Sequence, residues 1–199
     1  MLNQKNTALL IIDMQNDNMS LGGKSEKSGA VEHAKKQNIV KHISQLIEKA
    51  HSLKIPVIHN QFIVSKEAKE VGDNAPIFKS IKEIGSVVEG SWGAATVDGI
   101  EISPDDFVLK RTRMSAFNGT QLDIILKNLG VENIIVTGVW TNMAVEHTAR
   151  DGADYGYQVV IVTDGTATIS DEWQNAAINY AMNNIATKKS TAEILKELN

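Results

Sequence analysis

Cysteine is missing from the 199-residue chain. Its absence excludes disulfides, metal sites with cysteine ligands and a thiol nucleophile. Long apolar runs are missing too, since none approaches the roughly 18 residues that a membrane-spanning helix needs. The opening stretch MLNQKNTALLIID lacks a basic region followed by a long apolar stretch, so it is interpreted as a strand and not as a signal peptide. We expect a cytoplasmic protein with no membrane partner.

Basic clusters and phosphate-binding motifs are also absent. The formal net charge is −4 and no dense block of lysine and arginine occurs, so we expect no nucleic-acid partner. The complete patterns G-x-G-x-x-G and G-x-x-x-x-G-K-[ST], which cradle phosphates, do not occur. The chain therefore offers no nucleotide-binding loop that could be recognised from its sequence.

The histidines do not form a metal-binding pattern. His33, His42 and His51 are spaced nine residues apart on a predicted helix, so that successive side chains face opposite ways. His59 and His147 have no partner at the spacing of metal ligands. We predict neither a metal nor a cofactor.

What the sequence does contain is a regular alternation of short apolar runs and helical patterns. The run TALLII at residues 7–12 is typical of a parallel strand that is buried on both faces. Chain length and a hydrophobic content of 42% favour a single domain, over residues 1–199. The alternation predicts an α/β fold with helices on both faces of a parallel sheet. Strands are predicted at 7–12, 57–62, 106–110, 132–139, 158–163 and 185–188, and helices at 31–53, 77–84, 118–130, 142–155, 171–184 and 191–198.

Ligands of such sheets bind outside the carboxyl ends of the strands, which directs attention to three segments. Asp13 ends the first strand, where a partly desolvated carboxylate suits acid or base chemistry; the alternative is a residue that closes the loop. Lys110 and Arg111 end the third strand. A cation there can pair with Asp13, or it can simply extend into solvent.

The third segment, GVWTNMAVEHTAR at residues 138–150, turns from the fourth strand into a helix. Free N–H groups and the positive end of a helix dipole meet at such a turn, and together they can stabilise an oxyanion. The alternative is ordinary capping by Thr141 or Asn142. At the centre of the turn stands Ala144, which has no reactive group.

Three stretches together resemble the isochorismatase-like hydrolases, which form the cysteine hydrolase superfamily. They are ALLIIDMQND (8–17), RMSAFNGTQLD (113–123) and IIVTGVWTNMAVEHTARDGADYGYQVVIVTDGTAT (134–168). The resemblance implies a Rossmann-like three-layer α/β/α sandwich with a six-stranded parallel sheet. It also implies a homodimer or a higher homo-oligomer and a small-molecule substrate.

Members of the superfamily with amidase activity use an aspartate, a lysine and a cysteine. The aspartate matches Asp13, while the cysteine position is occupied by Ala144. The lysine position matches Arg111 without a gap and Lys110 with one inserted residue. Because successive strand residues point to opposite faces, only one of them can point inward unless the strand bulges. We favour Lys110, since a lysine suits proton transfer and an arginine stays charged.

The resemblance also implies a cis peptide bond between Val139 and Trp140, and an oxyanion hole formed by the backbone N–H groups of Trp140 and Ala144. Nicotinamidase relatives bind a metal after the second strand, but the segment IHNQFIVSKEA lacks that ligand set. We therefore predict no catalytic metal and no nicotinamidase activity. Candidates to line the substrate pocket are Trp92, Trp140, Thr141, Phe117 and Met19, although ordinary packing is the favoured interpretation for the last two.

Three functions remain open because a methyl group cannot form a covalent intermediate. The protein is a hydrolase without cysteine that cleaves a vinyl ether with Asp13 as the acid, or an amidase whose nucleophilic cysteine has been replaced by Ala144. The third possibility is a catalytically inactive relative that binds a small molecule or a partner.

Overall fold

The computed structural model describes residues 2–198 and contains one six-stranded, all-parallel sheet. The strand order β3-β2-β1-β4-β5-β6 places β1 and β4 at the centre and β3 and β6 at the edges. The strands are β1 (Thr7–Ile12), β2 (Val57–Phe62), β3 (Phe107–Arg111), β4 (Asn133–Val139), β5 (Gln158–Ala167) and β6 (Thr187–Lys189).

Helices cover both faces of this sheet, which confirms the predicted three-layer α/β/α architecture. The helices are α1 (Asn16–Met19), α2 (Ala30–Gln37), α3 (Ile39–Ser52), α4 (Pro76–Ile84), α5 (Leu122–Asn128), α6 (Glu146–Asp154), α7 (Asp171–Asn175) and α8 (Thr191–Glu197). Within residues 2–198, none of these helices has the length and apolar character needed to cross a bilayer.

The core is divided by the sheet because side chains alternate along each strand. In β1, Leu9 and Ile11 join the apolar cluster under α2, α3 and α8. Leu10 and Ile12 point the other way, into the cluster under α5 and α6. Each residue of β1 is buried, as expected for a central parallel strand.

The register of the central strands brings the candidate site together. Ile12 pairs with Asn60 of β2 and with Gly138 of β4, so that the three strands end at the same level. Gly138 has a φ of +105°, and a Cβ atom there would lie 2.0 Å from the carbonyl oxygen of Ile12. Only glycine permits this close approach of β4 to β1.

Four predicted elements differ clearly from the observed ones. The helix predicted at residues 31–53 is two helices, because Asn38 between them adopts a left-handed conformation with φ of +54°. Strand β5 runs four residues beyond the predicted end at Thr163, to Ala167. The helix predicted from residue 142 starts with a wide π-helical turn, Thr141–Val145, and the helix predicted at 171–184 is α7 followed by another, Ala176–Ala181.

Candidate active site

A pocket of about 120 Å³ opens at the carboxyl ends of the central strands. The ends of β1, β2 and β4 form one side of it, and α4 with the residues that follow forms another. Asp13 is the one titratable side chain among the described residues that line it. The other polar residues of the lining are Asn18, Ser25, Ser80 and Ser86, and the apolar ones are Phe62, Ile77, Ile81, Ile84, Val87, Met114, Val139, Trp140, Met143 and Ala144.

Asp13 follows the last residue of β1 and is buried, with φ of +50°. Its Oδ1 atom accepts the backbone N–H of Phe62 at 2.9 Å and Nη1 of Arg111 at 2.7 Å. Its Oδ2 atom accepts Nη2 of Arg111 at 2.8 Å. Its backbone is held as well, because its N–H donates to the carbonyl of Asn60 and its own carbonyl accepts the side chain of Asn18. The carboxylate therefore has a single, well-defined orientation.

Arg111 ends β3, and its side chain is completely buried. Besides the two bonds to Asp13, Nη2 donates to the carbonyl of Met114 at 3.0 Å. The guanidinium carbon lies 5.6 Å from the centre of the Phe62 ring. Its Nε–H has no acceptor among the described residues. A planar guanidinium that binds a carboxylate through two parallel bonds holds it in a fixed geometry and balances its charge.

Ala144 lies in the wide turn after β4 and is buried. The peptide bond between Val139 and Trp140, just before this turn, is cis. Thr148 of α6 donates its hydroxyl to the carbonyl of Ala144 at 2.7 Å and fixes the end of the turn. The pocket surface that Ala144 contributes is a methyl group.

The sequence predicts the helix α4, but it does not predict that one face of this helix lines the pocket. Ile77, Ser80, Ile81 and Ile84 all line the pocket, and their spacing of i, i+3, i+4 and i+7 is that of one helical face. Phe78 and Ile81 also pack into a separate small apolar cluster, next to Phe62. The signal that could have assigned α4 to the pocket is a serine in the middle of an isoleucine face.

The comparisons with known proteins agree with this architecture. The family model of the isochorismatase domain matches residues 7–193. The chain is 34% identical over 193 residues to a probable inactive nicotinamidase of Arabidopsis thaliana, covering 94% of this chain and 93% of that one. It is 32% identical over 186 residues to the ureidoacrylate amidohydrolase RutB of Pantoea ananatis, covering 87% and 74%.

The chain belongs to the isochorismatase family. A solved isochorismatase family protein from Desulfovibrio vulgaris shares 28% identity and superposes with a TM-score of 0.85, covering 98% of each chain. A cysteine hydrolase from Pseudomonas syringae has the same fold, with a TM-score of 0.88, 23% identity and coverage of 99% and 94%.

In this isochorismatase-family protein, Arg111 and not Lys110 points toward Asp13. The predicted preference for Lys110 is wrong, because its side chain is exposed and pairs with Glu89 at 2.6 Å. The alternation of β3 explains the result: Phe107 and Leu109 contact the core, and Arg111 lies on their side of the strand. No bulge interrupts the pairing of β3 with β2, so the two cations face opposite ways.

Four of the five candidates for the substrate pocket lie outside its lining, and for Phe117 and Met19 this agrees with the favoured interpretation of ordinary packing. Trp92 is 56% exposed, at the surface of the loop before β3. Phe117 is buried, with its ring stacked on Tyr157 and tilted against the exposed Tyr155, and Met19 is buried in the cluster beneath α2 and α3. Thr141 is fully buried and donates its hydroxyl to Gln174 at 2.6 Å. Phe117 and Met19 thus serve packing and Thr141 serves internal hydrogen bonding.

Asp13, Trp140 and Ala144 do line one pocket, as expected from their positions at the strand ends. The expected cis peptide bond before Trp140 is present. The catalytic and oxyanion-binding roles assigned to these residues stay predictions. Sequence reasoning missed the pocket residues of α4 as well as Ser25, Ser86, Met114 and Met143.

Proposed function

We propose that the protein binds a small, neutral carbonyl compound, such as an amide or a ureide, without hydrolysing it through a covalent intermediate. The observation that carries this proposal is the pairing of Asp13 with Arg111 in a pocket where Ala144 supplies only a methyl group. The site thus keeps the carboxylate of an amidohydrolase and lacks a nucleophile for acyl transfer.

The chemistry of the pocket lining supports binding over catalysis. Asp13 is the one titratable group that lines the pocket within residues 2–198. Its carboxylate oxygens accept three hydrogen bonds, two from Arg111 and one from the backbone N–H of Phe62. The lining, as described for residues 2–198, contains serine hydroxyls but no histidine or lysine that could remove a proton from them. Arg111 cannot act as a proton shuttle, because a guanidinium stays protonated.

The charge of the pocket favours an uncharged ligand. Asp13 and Arg111 balance each other, which leaves no free charge to attract an ion. The nearby cations lie outside the lining: Lys110 pairs with Glu89, and Arg113 donates to the carbonyls of Glu70 and Thr112.

The size of the pocket limits the ligand. A cavity of about 150 Å³ holds benzene, which has six non-hydrogen atoms, so the open pocket of about 120 Å³ here suits a compound of about five to seven such atoms. Drug-sized ligands occupy pockets of roughly 300–1,000 Å³. The relative named as a ureidoacrylate amidohydrolase supports an amide or ureide as the ligand class. The relative named as a probable inactive nicotinamidase supports binding without turnover.

A second candidate is vinyl-ether hydrolysis with Asp13 as the acid. One observation favours it: this route needs no thiol, and Asp13 is the acid in the pocket lining. The hydrogen-bond geometry argues against it, because both carboxylate oxygens already accept N–H groups of Arg111. A proton on Asp13 would have to replace one of these bonds or use the remaining lone pair of Oδ2.

Binding and turnover of neutral amides, measured side by side, test the proposal. Calorimetry with propionamide and malonamide should show binding to the wild-type chain, while ammonia release stays at the rate of the buffer control. Ala144→Cys should bind the same compounds; we expect little turnover from it because Arg111 cannot pass on a proton. Ammonia release by the wild type would overturn the proposal. Cleavage of a vinyl ether by the wild type, abolished in Asp13→Asn, would establish the second candidate instead.

A further inference from the structure

The turn after α4 carries Ser86, a pocket residue that has no role in the proposed function. Ser86 is buried, with 7% of its surface exposed, and it lines the pocket. No hydrogen bond joins its hydroxyl to another group within the described part of the chain, and the oxygen is not among the fully enclosed unpaired atoms, so it keeps access to the cavity. An unpaired hydroxyl that faces a small cavity is a ready partner for a polar group of a ligand.

The backbone beside Ser86 is held in an unusual conformation. Val87 has a φ of +50°, which is rare for a β-branched residue and persists only where surrounding contacts impose it. Its N–H donates to Oδ2 of Asp17 at 2.7 Å, and its carbonyl accepts the N–H of Val64 at 3.1 Å. Gly85 before Ser86 ends α4 in the left-handed conformation. The orientation of Ser86 is therefore set by contacts on both sides of it.

Asp17 organises this part of the pocket without lining it. It is buried, and besides Val87 its carboxylate accepts the N–H of Lys24 at 3.2 Å. Its carbonyl accepts the N–H of Ser25, another lining residue. A Cβ atom on Gly93 would lie 2.3 Å from the Asp17 carboxylate, so the chain leaves space for that group. One carboxylate thus connects the two loops that carry Ser25 and Ser86.

The remaining hydroxyls of the pocket lie on the same elements. Ser80 is the polar residue on the isoleucine face of α4, and Ser25 belongs to the loop after α1. Neither side chain has a hydrogen-bond partner among residues 2–198. The pocket therefore carries polar side chains on two sets of elements: Asp13 on the strand ends, and the three serines on α4, on the turn after it and on the loop after α1. Apolar side chains such as Phe62 and Met114 also line it.

We infer that Ser86, positioned by Asp17, receives a second polar group of the ligand, so that the site selects neutral molecules with a hydrogen-bonding group at each end. This inference rests on the proposed function, because it assumes that the first group is a carbonyl bound near Ala144. A ligand with one polar end would displace water from the serine hydroxyls without replacing its hydrogen bonds, which lowers affinity.

A pair of probes with equal numbers of non-hydrogen atoms tests the inference. Malonamide has a polar group at each end, and pentanamide has one. Calorimetry on the wild-type chain should give the tighter binding for malonamide. In Ser86→Ala, malonamide should bind about three- to tenfold more weakly, as expected for one neutral hydrogen bond, while pentanamide binding is unchanged. Ser52→Ala, which removes an exposed hydroxyl at the end of α3, is the matched control and should alter neither affinity.

Asp17→Asn tests the positioning role through the ratio of the two affinities. We expect the preference for malonamide to fall in this variant although Asp17 lies outside the pocket lining, whereas a merely destabilised chain would bind both probes more weakly. An unchanged ratio in Ser86→Ala, with both probes bound by the wild type, overturns the inference and leaves the proposed function intact. Failure of the wild type to bind either probe overturns the proposed function, and the inference with it.

Discussion

Arg111 donates Nη1 and Nη2 to the two carboxylate oxygens of Asp13, at 2.7 and 2.8 Å, with both side chains buried. The pair joins the edge strand β3 to the central strand β1 across β2. Two charges removed from water are tolerated only when each satisfies the other, so the pair is a structural link. Its carboxylate is also the one titratable group that lines the pocket within residues 2–198. The contribution of this pair to the free energy of unfolding can be measured by removing one partner.

Removing the guanidinium should destabilise the fold strongly. Arg111→Ala leaves the Asp13 carboxylate buried without its partner, and loss of one member of a buried pair costs about 3–5 kcal/mol of unfolding free energy. Lys110→Ala is the matched control, since the neighbouring cation is exposed and its pair with Glu89 is worth less than about 1 kcal/mol. Urea denaturation measures both, and equal losses would show that Arg111 is not buried against Asp13.

Gly138 should tolerate no side chain. In Gly138→Ala the new methyl would lie 2.0 Å from the Ile12 carbonyl oxygen, so β4 must move from β1, and we expect a loss of about 4 kcal/mol or more. Gly156 also has a positive φ, of +95°, but open space around it. Gly156→Ala should therefore cost roughly 1–2 kcal/mol, from conformation alone. Thermal and urea unfolding distinguish the two, and comparable stabilities would contradict the close contact.

A thiol introduced at position 144 should be reachable from the pocket. Because the chain has no cysteine, alkylation of Ala144→Cys by iodoacetamide reports on that position alone. We expect labelling of the folded protein and protection by malonamide. Ala149→Cys on α6 is fully buried outside the pocket, so its labelling requires unfolding and should be more than about a thousandfold slower. Similar rates for both thiols would contradict the assignment of Ala144 to the pocket lining.

The buried histidines should make stability depend on pH. Burial lowers the pKa of His59 below its usual value of 6.5, although the Asp106 carboxylate 3.2 Å away acts in the opposite direction. The unfolded chain then takes up a proton at a higher pH than the folded one, so this contribution is complete above pH 6.5 and is lost as the pH falls. Burial likewise lowers the pKa of His33.

Urea denaturation between pH 8 and pH 5 checks this expectation. The free energy of unfolding should decrease toward low pH in the wild type and decrease less in His59→Gln. His147→Gln on the exposed surface of α6 is the control and should follow the wild type. An identical pH dependence in His59→Gln and the wild type would exclude His59 as its source.

The sequence by itself determined the sheet and the strand ends that carry the site. Parallel strands buried on both faces require continuous apolar runs, and TALLII and NIIVTGV are of this kind. Asp13 and Ala144 could be assigned to one region because parallel strands end at the same edge. The orientation of Arg111 was also present in the pattern FVLKR, where the larger apolar residues and the arginine share one face.

Only the tertiary structure decided which residues line the pocket. The bond from the Val87 N–H to Asp17 joins positions 70 residues apart, and no local pattern encodes such a contact. For the same reason, the sequence makes Trp92 and Thr141 candidates for the pocket although neither lines it, and it gives no sign of Ser86. Backbone periodicity follows from interactions between near neighbours in the chain, whereas the shape of a pocket follows from how distant loops pack on one another.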